Sequence, residues 1–440
     1  MSVRPGLWHL AVAAVTAVTA WSLLAVPAVA HTDAVPPATA PGPGYFAGSA
    51  SGPAGVSAAP ATPGATQTDD ALTGVSCALE AGQTNPFACQ ASGFYASFST
   101  AQVMGYTWFW NGSLWDGSGP VAGVLHEVRV ILLQGLSCTA PTSDQEACLV
   151  VGEHYSQPSA PVQLAEFGIN GGMLPLTTRN PLGTTWSLMN GASCTSASFC
   201  MTVGTAGTSR RTTRGTVYYG HGTAYKWNGR TLSLLNVPHP ARVSYSELTG
   251  ISCADMTDCM AVGNYLTARG GWRTYAARWT SGTWHLYSTP NASGRTSTRF
   301  TSVSCPAPGQ CLAAGDTTGP GMLAYAALFR AGTWHASATP SRAGTALTAI
   351  SCPAAVACVA VGSRQGHTLA ETWNGTTWTV QRTPALSGTR PDGRLLGVYC
   401  FTASRCFAVG YRYGSTVRYL RTLAEGWKGR SWQIQKSANF

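Results

Sequence analysis

The sequence predicts an all-β fold, a seven-bladed propeller of four-stranded antiparallel blades with one disulfide in each blade. Three observations point there. A cysteine-centred segment recurs seven times, an aromatic turn follows each copy, and the composition suits strands and turns rather than helices. The clearest copy reads Leu248-Thr249-Gly250-Ile251-Ser252-Cys253, a five-residue loop, then Cys259-Met260-Ala261-Val262-Gly263. Hydrophobic residues make up 45% of the 440, enough for a core, while charged residues are only 10% and glycine reaches 50. That balance is far below the usual quarter charged and favours turn-rich β structure.

The chain opens with Arg4, an apolar run from Leu10 to Val26 and the small-residue site Ala28-Val29-Ala30. This is the layout of an export signal, expected over 1–30, and its alternative is an uncleaved anchor. No cysteine follows the run, which argues against a lipoprotein. No later segment is long and apolar enough to span a bilayer, so no membrane span is expected after cleavage. Residues 31–70 are mostly Ala, Pro, Gly, Ser and Thr. Too few apolar side chains occur there to offset ordering entropy, so a linker is expected, with the propeller over 71–436.

Each copy divides into four strands. The first is the L-x-G-I-S-C run, and the second is C-x-A-V-G, opening at the second cysteine. Strands three and four meet at a short turn between the pairs Trp110/Trp115, Ile169/Leu174, Trp227/Leu232, Trp279/Trp284, Phe329/Trp334, Trp373/Trp378 and Trp427/Trp432. Four of the seven turns hold Asn-Gly, at Asn111, Asn170, Asn228 and Asn374, a strong hairpin signal because both residues tolerate positive φ. Such units cannot bury two apolar faces alone, and radial packing solves this while leaving only short edges. An open solenoid would need atypical end repeats, and the first and last copies keep the pattern. The tryptophans then wedge between blades. No strand is left over to complete another blade, so closure is expected from side-chain packing between the terminal blades.

All 14 cysteines fall into the pairs Cys77/Cys89, Cys138/Cys148, Cys194/Cys200, Cys253/Cys259, Cys305/Cys311, Cys352/Cys358 and Cys400/Cys406. Regular pairing implies structural disulfides and an oxidising compartment. Each would join adjacent strands beside a short hairpin. A bridge across the commonest loop is worth roughly 2–2.5 kcal/mol. Zinc ligation does not fit, because the spacing is not C-x2-C and no histidine accompanies each pair. Redox catalysis does not fit either, because no C-x-x-C occurs. No metal and no cofactor is expected.

The S-C run, the C-x-A-V-G strand and the W-N-G-x-x-W turn over residues 72–434 resemble the repeats of secreted actinobacterial propeller proteins. The turn is also similar to the end of the Asp-box of sialidase-like propellers, although Glu371-Thr372-Trp373-Asn374-Gly375 lacks the aspartate. Kelch and galactose-oxidase propellers are a looser likeness. Copper-radical chemistry of that type needs a cysteine cross-linked to tyrosine, and every cysteine here is committed elsewhere. The resemblance implies fold and export, not an activity.

The net charge is +10, and losing Arg4 with the leader leaves 26 basic against 17 acidic residues, or +9. A basic surface steers acidic partners. For an exported protein these are anionic cell-wall polymers or acidic glycans rather than nucleic acid, with a protein partner as the other option. With the first strand innermost, the loops between strands two and three share one end with the blade-to-blade connections. The candidate binding residues there are Arg210, Arg211, Arg214 and Tyr218, then Arg269, Trp272 and Arg273, then Arg412 and Arg418. Guanidinium groups offer paired contacts to carboxylate, sulfate or phosphate, and aromatics stack on sugar faces. No catalytic residue is assigned, since no GxSxG, HExxH or P-loop is present. The carboxylate pairs Asp255/Asp258 and Asp144/Glu146 fall at the opposite end. Glu166, Glu371 and Glu425, which precede the third-strand aromatic position, are expected to pair with hydroxyls of a neighbouring blade. The expectation is a secreted or cell-surface noncatalytic binding or scaffold propeller. The alternative is a carbohydrate-active hydrolase or lyase with its site at the channel mouth.

Overall fold

The computed structural model describes residues 68–78, 88–97, 102–120, 130–142, 145–155, 160–212, 215–340, 342–387, 392–413 and 419–439. The expected leader, and the expected linker up to residue 67, lie outside these residues. The first strand starts at Thr68, inside the stretch read as linker. Asp69 and Asp70 belong to the ring because the last blade recruits them: Asp69 accepts the Leu420 amide and Asp70 pairs with Arg421 at 3.2 Å.

The described residues form 28 strands and no helix. They fall into seven consecutive antiparallel sets of four, here blades 1 to 7, over 68–120, 130–175, 186–235, 246–288, 297–337, 345–381 and 393–437. The first strands of all seven blades line one central channel of about 170 Å³, so they are the innermost strands and the ring is closed. No helix among the described residues is long and apolar enough to cross a membrane.

All seven cysteine pairs are disulfides and no free cysteine remains. In five blades the bonded residues also face each other in the ladder: Cys77 and Cys89, Cys138 and Cys148, Cys194 and Cys200, Cys253 and Cys259, Cys400 and Cys406. Blades 5 and 6 depart from this. Cys305–Cys311 and Cys352–Cys358 span places where the register shifts, between Ser304 and Ala307 and between Ser351 and Ala354. These two blades have proline, Pro306 and Pro353, straight after the first cysteine, and proline has no N–H to give the ladder. Among the described residues only blade 4 opens its second strand at the cysteine as expected, at Cys259; the others open one to three residues earlier, at Ala88, Gln145, Phe199, Gln310, Ala357 and Arg405. In blades 5 and 6 Gln310 and Ala357 pair with Ala307 and Ala354 beyond the proline. Cys311 and Cys358 remain in register on their other side, opposite Phe329 and Trp373, and both are buried in the core between blades. They are staples of that core and present no sulfur to a ligand.

The recurring L-x-G-I-S-C run has a physical role at each letter. After the leucine position the register slips by one residue in every blade, leaving Thr73, Gln134, Asn190, Thr249, Thr301, Thr348 and Leu396 as bulges. A bulge leaves its residue outside the ladder. Four of these threonines use that freedom to donate to the next inner strand. Thr73 reaches the Leu133 carbonyl at 2.8 Å, Thr249 that of Phe300 at 2.9 Å, Thr301 that of Leu347 at 3.0 Å and Thr348 that of Leu395 at 2.6 Å. The Asn190 amide does the same to Leu248 at 2.7 Å. The residue after the bulge is small because the strands nearly touch. A Cβ on Gly397 would meet the Gly74 Cα at 3.0 Å, and one on Gly135 the Gly191 Cα at 2.8 Å.

The serine before the first cysteine works outward. Ser76, Ser137, Ser193, Ser252, Ser304 and Ser351 each accept the amide of the next blade's first cysteine at 2.9 Å. The seventh blade has Tyr399 in that place, and the seam between blades 7 and 1 is built differently. Phe407 packs on Trp110 and Trp115 with ring centroids 5.0 and 5.3 Å apart. The Ala438 amide donates to Trp115 at 2.9 Å, and the outer strands of the two blades pair in parallel at Lys436 and Leu114. Closure therefore rests on side chains and an edge contact, without a strand shared between blades.

The aromatic turns are of two kinds. At Asn111, Asn228 and Asn374 the asparagine side chain accepts amides two and three residues on, and only the following glycine has positive φ. At Asn170, Ser281 and Ala331 both turn residues have positive φ, giving tight two-residue hairpins. In blade 2 this shifts the pairing by one. The cross-strand pair equivalent to Trp373/Trp378 is Gly168/Met173, not Ile169/Leu174. The pleat buries Met173 and turns Ile169 and Leu174 outward, 47% and 69% exposed.

Glu166, Glu371 and Glu425 are fully buried at one equivalent place on strand three, facing the preceding blade. Glu166 and Glu371 do not find the expected hydroxyls, since neither oxygen of either has a hydrogen-bond partner. Burial pushes them up to about 8 and about 7. Burial lifts Glu425, whose oxygens likewise have no hydrogen-bond partner, to about 8, with the nearby Thr368 hydroxyl pulling the other way. Such groups hold a proton in the fold and release it on unfolding, so their contribution is complete below the unfolded value near 4.5 and is lost as pH rises towards 7–8. The unfolding temperature is therefore expected to fall steadily between pH 5 and pH 8 by this contribution. Glu166→Gln together with Glu371→Gln should flatten that slope, as followed by circular dichroism. Ser304→Ala, which strips the Cys352 amide of its partner, should cost about 1 kcal/mol in a denaturant titration.

Candidate functional site

The connection end of the ring carries its least regular feature. In blades 4 to 7 the second strands are short: Cys259–Leu266, Gln310–Thr318, Ala357–Arg364 and Arg405–Tyr413. In blade 3 the second and third strands run Phe199–Thr212 and Gly215–Trp227, in unbroken register from Cys200/Trp227 to Thr212/Gly215. The extra length makes an arm. Arg210 and Arg211 sit on it, both exposed, opposite Val217 and Thr216, and Tyr218 faces Ser209. Tyr219 is 42% exposed.

The arm is rooted in aromatics. Tyr218 meets Trp186 edge-on at 5.8 Å, Trp186 stacks on Tyr245 at 6.3 Å, and Tyr245 meets Trp272 edge-on at 5.8 Å. The Arg299 guanidinium lies 5.0 Å over Trp272. This chain runs from blade 3 to blade 5 and joins two of the residues singled out from sequence, Tyr218 and Trp272. Trp272 is only 6% exposed, so it holds blades together and offers no open face to a ligand. Edge-to-face rings contribute beyond their buried area, which makes this root stiff.

The chain ends in buried charge. Tyr245, its hydroxyl held well above the usual phenol range by burial and by Glu247, approaches Glu247 at 3.5 Å. Glu247 also accepts from Asn264 at 3.2 Å, and Asn264 pins the backbone of Phe300 in blade 5 at both its amide and its carbonyl. Burial lowers Arg299, opposed by Asp316 and Glu247. Burial raises Asp316, opposed by Arg299 and Arg394. Glu247, Arg299 and Arg394 occupy one equivalent inner-strand place, where other blades have Ala71, Leu132, Leu188 and Ala346. Comparing that place across copies is the signal that reveals them from sequence. On the arm side, His221 stacks on His239 at 3.7 Å and its Nδ1 lies 3.2 Å from the Ser246 hydroxyl.

The remaining candidates do not converge. Arg269 is exposed at its turn, whereas Arg273 donates to the carbonyls of Trp272 and Thr296. Arg412 lies in blade 7, opposite Gly393 and Arg421. Arg214 and Arg418 lie outside the described residues. At the other end, Asp258 takes both Arg278 at 2.6 Å and the Gly309 amide at 2.8 Å, locking blade 4 to blade 5. Asp255 caps the Thr257 turn. Glu146, pushed up to about 7 by burial, accepts from Gln90 at 2.7 Å. It sits beside Cys138 and Cys148, a grouping of metal-ligand type whose sulfurs are already bonded to each other.

The sequence matches no protein-family model and no curated protein. Among solved structures, a protein of unknown function from Dyadobacter fermentans aligns at TM-score 0.47 and 10% identity, over 69% of this chain and 95% of its own. YCF48 bound to a D1 peptide aligns at 0.43 and 11%, over 84% and 93%. The propeller domain of the Pyrococcus furiosus Trilobed protease, described as having an open velcro topology, aligns at 0.44 and 7%, over 83% and 97%. Strand register and the shared central channel define the fold. Trp186→Ala should cost about 3–5 kcal/mol, as for other buried aromatics. It should also open the arm to limited proteolysis within 205–220, read by mass spectrometry of the fragments.

Proposed function

We propose that this is an exported, noncatalytic binding propeller that captures an acidic glycan or anionic cell-wall polymer with the arm of blade 3. The observation carrying this reading is the extended hairpin itself. It lifts Arg210 and Arg211 beyond the level of the other blades on a root of stacked aromatics. A pre-ordered element loses less entropy on binding than a mobile loop. Each guanidinium offers paired N–H contacts to carboxylate or phosphate, one on each face of the arm, and the exposed ring of Tyr219 suits a sugar face. The basic balance of the chain steers such polymers inward. Seven disulfides suit the oxidising space outside the cell, where those polymers occur.

A second reading has one specific observation in its favour. Glu153, Glu247 and Asp316 gather around Tyr245 and Arg299, and a carboxylate pair is what a carbohydrate-active hydrolase or lyase needs. All three are buried, at 3%, 6% and 2% exposure, and Glu247 is tied to Asn264 within the blade framework. The binding reading is therefore preferred.

The test uses the full chain against purified teichoic-type polymers, acidic polysaccharides and neutral glycans at low and moderate salt. Binding that weakens with salt, and falls about tenfold or more in Arg210→Ala/Arg211→Ala, is expected from the loss of charge-assisted contacts. Binding that ignores both salt and the substitutions overturns the proposal. Turnover of the same polymers that is lost in Glu247→Gln would establish the second reading instead.

A further inference from the structure

At the disulfide end, opposite the arm, the blades share a place that lacks a side chain once. It is held by the residue paired across from the one after each second cysteine, which in blades 2, 3 and 4 lies on the next blade's third-strand aromatic. In blades 1 to 6 it is Phe109, Phe167, Lys226, Arg278, Leu328 and Thr372. Phe167 lies on Trp227 at 5.0 Å, Lys226 reaches over Trp279 at 6.0 Å, and Arg278 over Phe329 at 5.5 Å. In blade 7 it is Gly426, opposite Phe407. The filling side chain is missing at the seam between blades 7 and 1. A cavity of about 680 Å³ opens there, walled by Trp110, Phe401, Phe407 and Trp427.

We infer that this notch is a binding site for an aromatic carboxylate, a planar ring bearing an anionic group. The internal copies supply the ring. The phenyl of Phe167 shows that a ring fits against the equivalent tryptophan, and offset aromatic pairs gain beyond simple burial. The rim supplies the charge. Arg405 and Lys428 are the ionisable side chains lining the cavity among the described residues, with the amides of Asn111 and Gln435 beside them. A cation such as those at the seams of blades 3–4 and 4–5 is disfavoured here. Arg278 has Asp258 as its partner, whereas no carboxylate lines this cavity among the described residues. The volume lies in the range of small-molecule sites rather than that of a single missing side chain.

The probe is indole-3-acetate, titrated into the full chain by calorimetry and saturation-transfer NMR, with indole-3-acetamide and cyclohexylacetate as controls. Saturable binding of indole-3-acetate is expected, at least fivefold tighter than either control. Gly426→Phe supplies the filler used in blades 1 and 2, and its new Cβ meets only the flexible Gln435 side chain, at 2.9 Å from the amide nitrogen. It should weaken binding more than tenfold without lowering the melting temperature. Lys428→Gln, on an exposed turn, should weaken it about fivefold and leave folding intact, so the test stands even if Gly426→Phe misfolds. No saturable binding up to about 10 mM overturns the inference, as does binding indifferent to both substitutions. Equal binding of cyclohexylacetate overturns the requirement for a planar ring. Tighter binding of N-acetyl-Gly-Trp than of the free acid supports the site with a peptide terminus as the source.

Discussion

How closely seven strands can approach one axis governs the rest of this ring. Their backbones come near enough that Gly74 and Gly397 face each other across blades with no room for a Cβ between them. At that distance the ladder within a blade must yield one residue as a bulge. The freed threonine or asparagine then bonds outward to the neighbouring inner strand. The L-x-G spelling of the repeat follows from geometry: a core leucine, a bridging side chain and a residue small enough to pass. The serine before each cysteine extends the same principle one turn further from the axis.

The seam of blades 7 and 1 cannot use this relay, because Tyr399 replaces the serine and Leu396 the threonine. Aromatic packing around Phe407 takes over, with Asp69 and Asp70 holding the last blade from the other side. The irregularity is also where the chain departs from its own repeat in a way that leaves space, at Gly426. Blade 3 departs in the opposite sense, by extending its central hairpin into an arm. Both candidate sites are departures from the repeat; the regular positions are occupied with holding the ring.

Much of this was legible in the residues. The disulfide pairing, the strand order within a blade and the terminal closure follow from spacing and turn chemistry alone. Strand starts were less so: the second strands of six blades begin ahead of the cysteine, as at Phe199, Gln310 and Arg405, because the ladder continues past the disulfide into the hairpin. Spacing also failed where the pleat decides. In blade 2 a one-residue shift put Met173 inward in place of Leu174, a difference that periodic reading cannot resolve across a short strand. Trp272 looked like a sugar platform because it follows an arginine and two glycines. Its ring instead meets Tyr245 from the preceding connection, a contact between segments far apart in order. Glu166 and Glu371 looked like partners for hydroxyls, but neither carboxylate has a hydrogen-bond partner. Long-range contacts of this kind have no local signature. Arg299 and Gly426 were legible in principle, since Arg299 is one of three charged residues at a place that is apolar in four blades, and Gly426 is the one copy without a side chain at its own.

The relay across the inner strands and the aromatic seam make seven blades one cooperative body. Differential scanning calorimetry of the full chain with its disulfides intact tests this directly. One transition whose calorimetric and van't Hoff enthalpies agree is the predicted result. Several resolved transitions, or a calorimetric enthalpy several times the van't Hoff value, would mean that blades melt independently and would contradict it.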